Sequence, residues 1–266
     1  MTGTVDILQV RFPRLFTEEA VAWLLQKLAS RPGTGPSTGV CFPDMSTLNL
    51  AAQSPALRRL LQQRMTVFPD GAGLAWVAKL RGKPLPANLN GTDLVPRFLS
   101  AAKAGTTVFL LGGQPGVAQK TTQIFAARFP HLCFVGHAHG YLSAAQDEQL
   151  VARLRNLSPR VVLVGLGNPQ QIEWICRRLE DPVLRGTMFL AVGGQFDYYG
   201  GSLRRAPALV RRARLEWLWI VLQQPHKLRR YFLGIPLYLS RCAWAGLCHE
   251  HDLPQQEIAG KAGSPA

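Results

Sequence analysis

A single carboxylate stands where an apolar segment changes into a helical pattern. Residues 65–68 form a short apolar run typical of a buried strand, and Pro69-Asp70-Gly71 interrupts that run. From Ala72 onward the apolar residues recur at helical spacing. Asp70 should therefore follow the carboxyl end of a strand, where ligands bind in open α/β sheets and where a carboxylate can accept a proton from a reacting hydroxyl. The alternative, from this segment alone, is that Asp70 caps the helix.

Three glycine-rich segments follow apolar strands in the same way. They read LLGGQPG over residues 110–116, LVGLGNP over residues 163–169 and AVGGQFD over residues 191–197. Because parallel strands end at the same edge of a sheet, all three turns should lie beside Asp70. Glycine lets backbone N–H groups approach a phosphate, so we predict a nucleotide or sugar-phosphate site. None of the turns reads as a Walker loop or as GxGxxG with a downstream acid, which argues against an ATPase and a dinucleotide enzyme.

Alternating strand and helix patterns must position these residues. Residues 5–11 are predicted as the first strand, and later apolar strands such as residues 106–111 and 160–164 alternate with amphipathic helices. Continuously apolar strands are typical of a parallel sheet that is covered on both faces. The sequence therefore predicts a Rossmann-like α/β body over residues 1–201, with helices on both faces of the sheet.

The composition changes after residue 201. Residues 202–241 contain nine Lys or Arg residues and one acid, Glu216, in a chain whose net charge is +14. Bulky apolar residues alternate with these cations, which predicts a basic amphipathic helical appendage over residues 202–253 on an anionic membrane surface. A helical hairpin packed on the sheet, with solvated arginines, is the alternative. Residues 254–266 are expected to form a disordered tail. The residues predicted to contact the membrane or a membrane-linked acceptor are Arg205, Arg211, Arg212, Arg214, Trp217, Arg229 and Arg230.

Several other partners and locations are disfavoured. Nucleic-acid binding is not expected, because bulky aliphatic residues outnumber candidate stacking residues in the basic segment. The five cysteines are scattered without CxxC spacing, which is typical of free thiols in the cytoplasm. Cys242, Cys248, His249 and His251 lack a second ligand pair, so no metal site is predicted. We expect no signal peptide, because the first residues lack a basic region followed by an apolar one. We expect no spanning helix, because no stretch of 18 uninterrupted apolar residues occurs.

Ten short motifs, in order along the chain, together resemble one family. They include PDGAG at residues 69–73, FLLGGQPGVA at 109–118, VGLGNPQQ at 164–171 and VGGQFD at 192–197. The other matching positions are residues 47–49, 91–94, 140–141, 201, 205–207 and 215–218. Over residues 5–235 the chain is similar to the WecG/TagA/CpsF glycosyltransferases of bacterial surface-polysaccharide synthesis.

The resemblance implies a peripheral enzyme on the inner face of the cytoplasmic membrane. Such an enzyme moves a sugar from a UDP-sugar to a polyprenyl-diphosphate-linked saccharide, with inversion and without a metal or cofactor. The sugar would be of the N-acetylmannosamine type, its uronate or glucose, in exopolysaccharide, teichoic acid or surface-antigen synthesis. The number of chains in the active enzyme stays open, and a homo-oligomer is one possibility.

The resemblance also implies residue roles. Asp70 would be the general base, Thr47 and Asn49 would line the same pocket, and Gln171 would be associated with the donor. Together with the residues at the strand ends, the predicted substrate-binding set is Thr47, Asn49, Gly71, Asp93, Gly112, Gly113, Gly165, Gly167, Gln171, Gly194, Gln195 and Asp197.

Two positions depart from the family pattern. Ile172 stands where the family usually has glutamate, and Asn88-Leu89-Asn90 stands where an arginine is common. Losing a cation near a diphosphate would weaken donor binding or indicate a different donor. Two rival functions stay open: a soluble nucleotide-dependent oxidoreductase, and a non-catalytic protein that binds anionic surfaces through residues 204–241.

Overall fold

A parallel sheet of six strands forms the centre of the protein. The computed structural model describes residues 3–29, 33, 35–201, 203–204, 206–207, 209–210, 216–225 and 228–248. The strands in chain order are β1 (Thr4–Ile7), β2 (Val10–Pro13), β3 (Thr38–Cys41), β4 (Thr66–Val67), β5 (Thr107–Gly112), β6 (Cys133–Ala138), β7 (Val161–Gly165) and β8 (Met188–Ala191). Strands β3 to β8 form the sheet in the order β4-β3-β8-β7-β5-β6, and every neighbouring pair is parallel.

Helices cover both faces of this sheet. In chain order they are α1 (Thr17–Leu28), α2 (Met45–Gln53), α3 (Pro55–Gln63), α4 (Ala72–Leu80), α5 (Gly91–Ala101), α6 (Val117–Arg128), α7 (Ala144–Leu157), α8 (Gln170–Arg178), α9 (Gln195–Tyr199), α10 (Glu216–Gln223) and α11 (Leu228–Cys248). Apolar residues of α2, α3, α4, α7 and α8 pack with the β1–β2 hairpin on one face, and those of α1, α5 and α6 pack on the other. This arrangement confirms the predicted Rossmann-like α/β fold.

The central strands are apolar throughout because neither of their faces meets water. In β7, residues Val161 to Val164 are all fully buried, although successive side chains of a strand point to opposite faces. An alternating pattern would leave polar side chains inside one of the two cores. The uninterrupted apolar run was therefore a reliable indication of a sheet covered on both sides.

The first predicted strand is instead an antiparallel hairpin. Within residues 5–11, Leu8 and Gln9 adopt left-handed φ values of +50° and +63°, and β1 turns back to pair with β2. The prediction of one continuous strand was wrong because the turn contains neither glycine nor asparagine, the residues that usually indicate a left-handed conformation. The hairpin packs against α3 and α4 on one face of the body.

The glycine turns at the ends of β5, β7 and β8 contact one another. A Cβ atom on Gly112 would overlap the carbonyl group of Gly165, and one on Gly165 would lie 2.8 Å from the carbonyl oxygen of Gly193. Gly112 also has a φ of +142°, which L side chains rarely adopt. The backbones of these three turns therefore approach each other more closely than any side chain permits.

We predict that Gly112→Ala destabilises the protein by about 3 kcal/mol, because steric overlap adds to an unfavourable φ. Gly167→Ala is the matched control. Gly167 has a φ of +77° but no described atom within 4 Å of its Cβ position, so backbone strain alone should cost about 1–2 kcal/mol. Urea denaturation measures both free energies of unfolding. Equal losses in the two variants would show that contact between the turns contributes nothing.

The C-terminal helix α11 is packed on one side and exposed on the other. Tyr238 and Cys242 are buried in the same core as α2 and α4, whereas Phe232 and Trp244 are 73% and 71% exposed. Among the helices of the described ranges, none combines the length and hydropathy of a membrane-spanning segment. The packed side agrees with the hairpin alternative, and the apolar exposed side is what a helix on a membrane surface requires.

Part of the predicted appendage lies outside the described residues. This applies to Arg205, Arg211, Arg212 and Arg214, and to the tail over residues 254–266. Trp217 falls in α10, and Arg229 and Arg230 fall in the first turn of α11. His249 and His251 of the Cys/His cluster also lie outside the described residues, while Cys242 is a buried core residue.

Candidate active site

The predicted polar residues gather at one edge of the sheet. Asp44 follows β3, Asp70 follows β4, Gly167 follows β7, and Gly193 follows β8, all at the carboxyl ends of parallel strands. Strands β4, β3, β8 and β7 are successive neighbours, so these four turns lie side by side. The edge is the place where doubly wound α/β proteins bind ligands.

The turn that carries Asp70 is fixed on both sides. The Asp70 N–H donates to the Pro43 carbonyl at 3.2 Å, the Gly71 N–H donates to Oδ1 of Asn88 at 2.9 Å, and the Leu89 N–H donates to the Pro69 carbonyl at 3.1 Å. Gly71, with a φ of +95°, occupies the N-cap position of α4. Asp70 thus precedes the cap position, and its half-buried carboxylate belongs to the edge of the sheet.

A continuous series of hydrogen bonds, here called the strand-end chain, joins three of the turns. The Gly193 N–H donates to Oε1 of Gln171 at 2.9 Å, and Nε2 of Gln171 donates to Oδ1 of Asn168 at 2.6 Å. Nδ2 of Asn168 then donates to Oγ1 of Thr47 at 2.7 Å, and that hydroxyl donates to Oδ1 of Asp44 at 2.7 Å. Each member of the series donates to the next, from the turn after β8 to the turn after β7 and then to the start of α2 after β3.

The strand-end chain defines what Thr47 and Gln171 do in this structure. Their exposed fractions are only 1% and 3%, and their polar atoms are bonded to other side chains or to the backbone. Both residues therefore hold the turns in place rather than presenting an open polar surface. Asn168, the central member, was missing from the predicted set even though it lies within the VGLGNPQQ motif.

Several predicted glycine N–H groups are already engaged within the protein. The Gly113 N–H donates to the Gly165 carbonyl at 3.1 Å, and the Gly71 N–H donates to Asn88. Gly112 and Gly165 bring the turns into contact, as described above. Close packing of the turns is thus a sufficient physical reason for these glycines, independent of a phosphate.

A second group of predicted residues joins the starts of α5 and α9. In the amide orientation that satisfies both neighbours, the Gln195 side chain donates to the Gly91 carbonyl and accepts from the Thr92 N–H, each at 3.2 Å. Asn90 caps α5, accepting from the Asp93 N–H at 2.9 Å and donating to its carboxylate at 3.0 Å. The capping residue of α5 therefore fixes both the backbone N–H and the carboxylate of Asp93. At α9, the Asp197 N–H donates to the Gly194 carbonyl at 3.1 Å.

Asn49 connects the site helix α2 to α11. Its Nδ2 donates to the Gly234 carbonyl at 2.9 Å. Nη1 of Arg241 donates to both the backbone carbonyl and Oδ1 of Asn49, at 2.9 and 3.0 Å. The same helix carries Thr47, so the position of α11 is directly linked to a helix that begins at the sheet edge.

The nearby thiol is not a candidate nucleophile. Cys41 ends β3, and its burial, reinforced by the neighbouring Cys176 thiol, raises the pKa of Cys41 far above its usual value. A buried neutral thiol cannot supply the thiolate that nucleophilic chemistry needs. In the described part of the chain, no group of three His, Cys, Asp or Glu residues is arranged to hold a metal ion.

The two departures from the family pattern have structural roles here. Ile172 is fully buried among the apolar residues of α8, where an unpaired carboxylate would be costly. Asn88 accepts the hydrogen bond from Gly71 and so fixes the turn that carries Asp70.

Comparison with known proteins identifies the family. The model of the glycosyl transferase WecG/TagA/CpsF family matches residues 5–252. Proteins from Staphylococcus aureus strains MW2 and NCTC 8325, both named N-acetylglucosaminyldiphosphoundecaprenol N-acetyl-beta-D-mannosaminyltransferase, are 27% identical over 245 residues, covering 92% of this chain and 94% of each relative. A protein of the same name from strain MRSA252 is 28% identical over the same coverage. The chain belongs to the glycosyl transferase WecG/TagA/CpsF family.

Proposed function

We propose that this protein transfers a sugar from a UDP-sugar to a polyprenyl-diphosphate-linked saccharide, with inversion at the anomeric carbon. The observation that carries the proposal is the position of Asp70, which lies in a PDG turn at the carboxyl edge of a parallel sheet in a chain that matches the family nearly end to end. The relatives' names support N-acetylmannosamine as the sugar and an N-acetylglucosaminyl-diphosphate lipid as the acceptor. The uronate of that sugar and glucose are the other candidate donors.

In the proposed reaction, Asp70 is the general base. The acceptor hydroxyl oxygen attacks the anomeric carbon, its proton passes to the Asp70 carboxylate, and the bond to the UDP oxygen breaks with its electron pair leaving on UDP. A carboxylate within hydrogen-bond reach is sufficient for this proton transfer. The bonds to Pro43 and Asn88 support this role, because they fix the turn before substrate arrives.

The departing UDP needs positive charge or N–H donors beside its diphosphate. Because the Gly71 and Gly113 N–H groups have protein partners, we assign most of this stabilisation to cations of the basic segment. Candidates from the sequence are Arg205, Arg211, Arg212 and Arg214. The appendage would thereby contribute to the site as well as to membrane binding.

Binding to the membrane surface fits the distribution of exposed residues on α11. Phe232, Leu233 and Trp244 are each more than half exposed, and Arg229 and Arg230 lie in the first turn of the same helix. Apolar side chains beside cations are typical of helices that lie in the headgroup layer of anionic membranes. A lipid-linked acceptor requires such a location.

We expect activity to persist in excess EDTA. The sequence contains no DxD pair at a strand end, and the aspartates of the site, Asp44, Asp70, Asp93 and Asp197, are separate along the chain. UDP release with and without the chelator is the measurement, and a transferase known to require Mn²⁺ is the control. Loss of activity that Mn²⁺ or Mg²⁺ restores would contradict the metal-independent mechanism.

A UDP-release screen tests the function itself. UDP-N-acetylmannosamine, its uronate and UDP-glucose would each be offered with short-chain prenyl-diphosphate mono- and disaccharides. We expect UDP release with one donor and only in the presence of acceptor. Absence of release from every combination would overturn the proposal, and binding of NAD instead would favour the oxidoreductase alternative.

A further inference from the structure

Helix α4, which begins directly after the Asp70 turn, exposes two large apolar side chains. Trp76 and Leu80 are 50% and 84% exposed, although Leu74, Val77 and Ala78 of the same helix are buried in the core. Residues four apart lie on the same side of a helix, so Trp76 and Leu80 form one exposed apolar stripe. The fold does not require this stripe, because the opposite side of α4 supplies its packing.

The sequence around this stripe is basic. Lys79 and Lys83 are exposed beside Leu80, and the sequence between Asp70 and Asp93 contains no acidic residue. The combination of exposed Trp, Leu and Lys side chains is suited to an anionic lipid surface, where lysine binds the phosphate layer and tryptophan enters the interface. We call Trp76, Lys79, Leu80 and Lys83 the α4 face.

The helix that carries the α4 face is a neighbour of the helix already proposed to contact the membrane. Helix α4 packs against α11, which exposes Phe232, Leu233 and Trp244. Helix α2, which also packs against α11, exposes Leu50. Two helices of the body that pack against the C-terminal helix thus expose apolar residues, as the C-terminal helix itself does.

The α4 face is also close to the proposed base. Trp76 lies four residues beyond the start of α4, about 6 Å along the helix axis at 1.5 Å per residue. We infer that the α4 face is a second contact with the anionic membrane surface, carried by the α/β body itself. This contact holds the sheet edge that carries Asp70 at the headgroup layer, where a diphosphate-linked saccharide is presented. The choice of a membrane as the partner rests on the proposed function.

Two double variants of the whole chain test the contact: one removes its apolar side chains and the other removes its charge. Trp76→Gln/Leu80→Gln removes the apolar stripe, and we expect partitioning onto phosphatidylglycerol-containing vesicles to weaken roughly tenfold. Lys79→Ala/Lys83→Ala removes two cations, and we expect about thirtyfold weaker partitioning at low salt and a smaller effect at high salt. Ile124→Gln is the matched control, because Ile124 is 39% exposed on α6 in the opposite layer. It should leave partitioning unchanged.

The outcomes separate this inference from the proposed function. Thermal melting establishes that each variant is folded, and UDP release with a water-soluble short-chain acceptor should stay at the wild-type level. Unchanged partitioning of both folded variants would overturn the α4 contact and leave the transferase proposal intact. A change in oligomeric state by sedimentation velocity, with lipid binding unchanged, would overturn it in favour of a second copy of the chain. If the wild type transfers no sugar but the variants lose lipid binding, the α4 contact stands and the proposed reaction fails.

Discussion

Asp70→Asn is expected to reduce turnover by about a hundredfold or more, because general-base catalysis typically supplies 10²–10⁴-fold. UDP binding should be nearly unchanged, since the substitution keeps the size of the side chain and the backbone contacts of the turn to Pro43 and Asn88. Turnover measured by UDP release and UDP affinity measured by calorimetry separate the two effects. A fall in kcat at constant UDP affinity indicates an interaction made during the reaction.

Asp6→Asn is the matched control for Asp70→Asn. Asp6 lies in β1, pairs with Arg11 at 3.6 Å and is remote in the sequence from the PDG turn. It undergoes the same chemical change and should retain wild-type turnover. Near-wild-type turnover in Asp70→Asn would remove Asp70 from the catalytic role, whereas equal losses in both variants would indicate a general effect of removing a carboxylate.

Reversing the charge of Arg229 and Arg230 should weaken partitioning onto anionic vesicles by about a thousandfold. Each basic residue near an anionic leaflet contributes roughly 1 kcal/mol, so two arginines replaced by two glutamates change the binding free energy by about 4 kcal/mol. The effect should shrink at high salt, because exposed charges are screened over a Debye length. Co-sedimentation with phosphatidylglycerol-containing vesicles at two salt concentrations measures it.

The control for charge reversal is Lys103→Glu/Arg128→Glu, which changes the net charge equally on the opposite layer. Lys103 follows α5 and Arg128 ends α6, and both are exposed. The control should bind vesicles nearly as well as the wild type. If Arg229 and Arg230 serve only a packed hairpin, their reversal would instead lower the melting temperature and leave vesicle binding intact. Equal binding of the wild type to neutral and anionic vesicles would also contradict the membrane contact.

The sheet could be predicted from the sequence because its physical cause is local. An uninterrupted apolar strand indicates that both of its faces are buried, and the glycine turn that follows indicates where the strand ends. The β1–β2 hairpin could not be predicted, since Leu8 and Gln9 adopt left-handed conformations that their side chains do not favour. Tertiary packing against α3 and α4 compensates for that local preference.

The location of Asp70 was predictable, but the polar contacts around it were not. Thr47 and Asn168 are 121 residues apart, and their hydrogen bond depends on β3 and β7 both neighbouring β8. A local sequence pattern does not indicate the order of the strands in a sheet. The same limit applies to Asn49, whose position in a motif suggested a pocket residue, whereas its amide contacts Gly234 and Arg241 of α11.

The strand-end chain has a consequence for how sequences of this protein can change. Its donors all face one way, from the Gly193 N–H to the Asp44 carboxylate, so each amide is usable in only one orientation. Replacing Asn168 with Asp would set a carboxylate oxygen against the Thr47 hydroxyl, which already donates to Asp44. Effects of substitutions in such a network do not add. A saturation library of Thr47, Asn168 and Gln171 should therefore yield correlated combinations, in which a residue accepted at one position depends on the residues present at the other two.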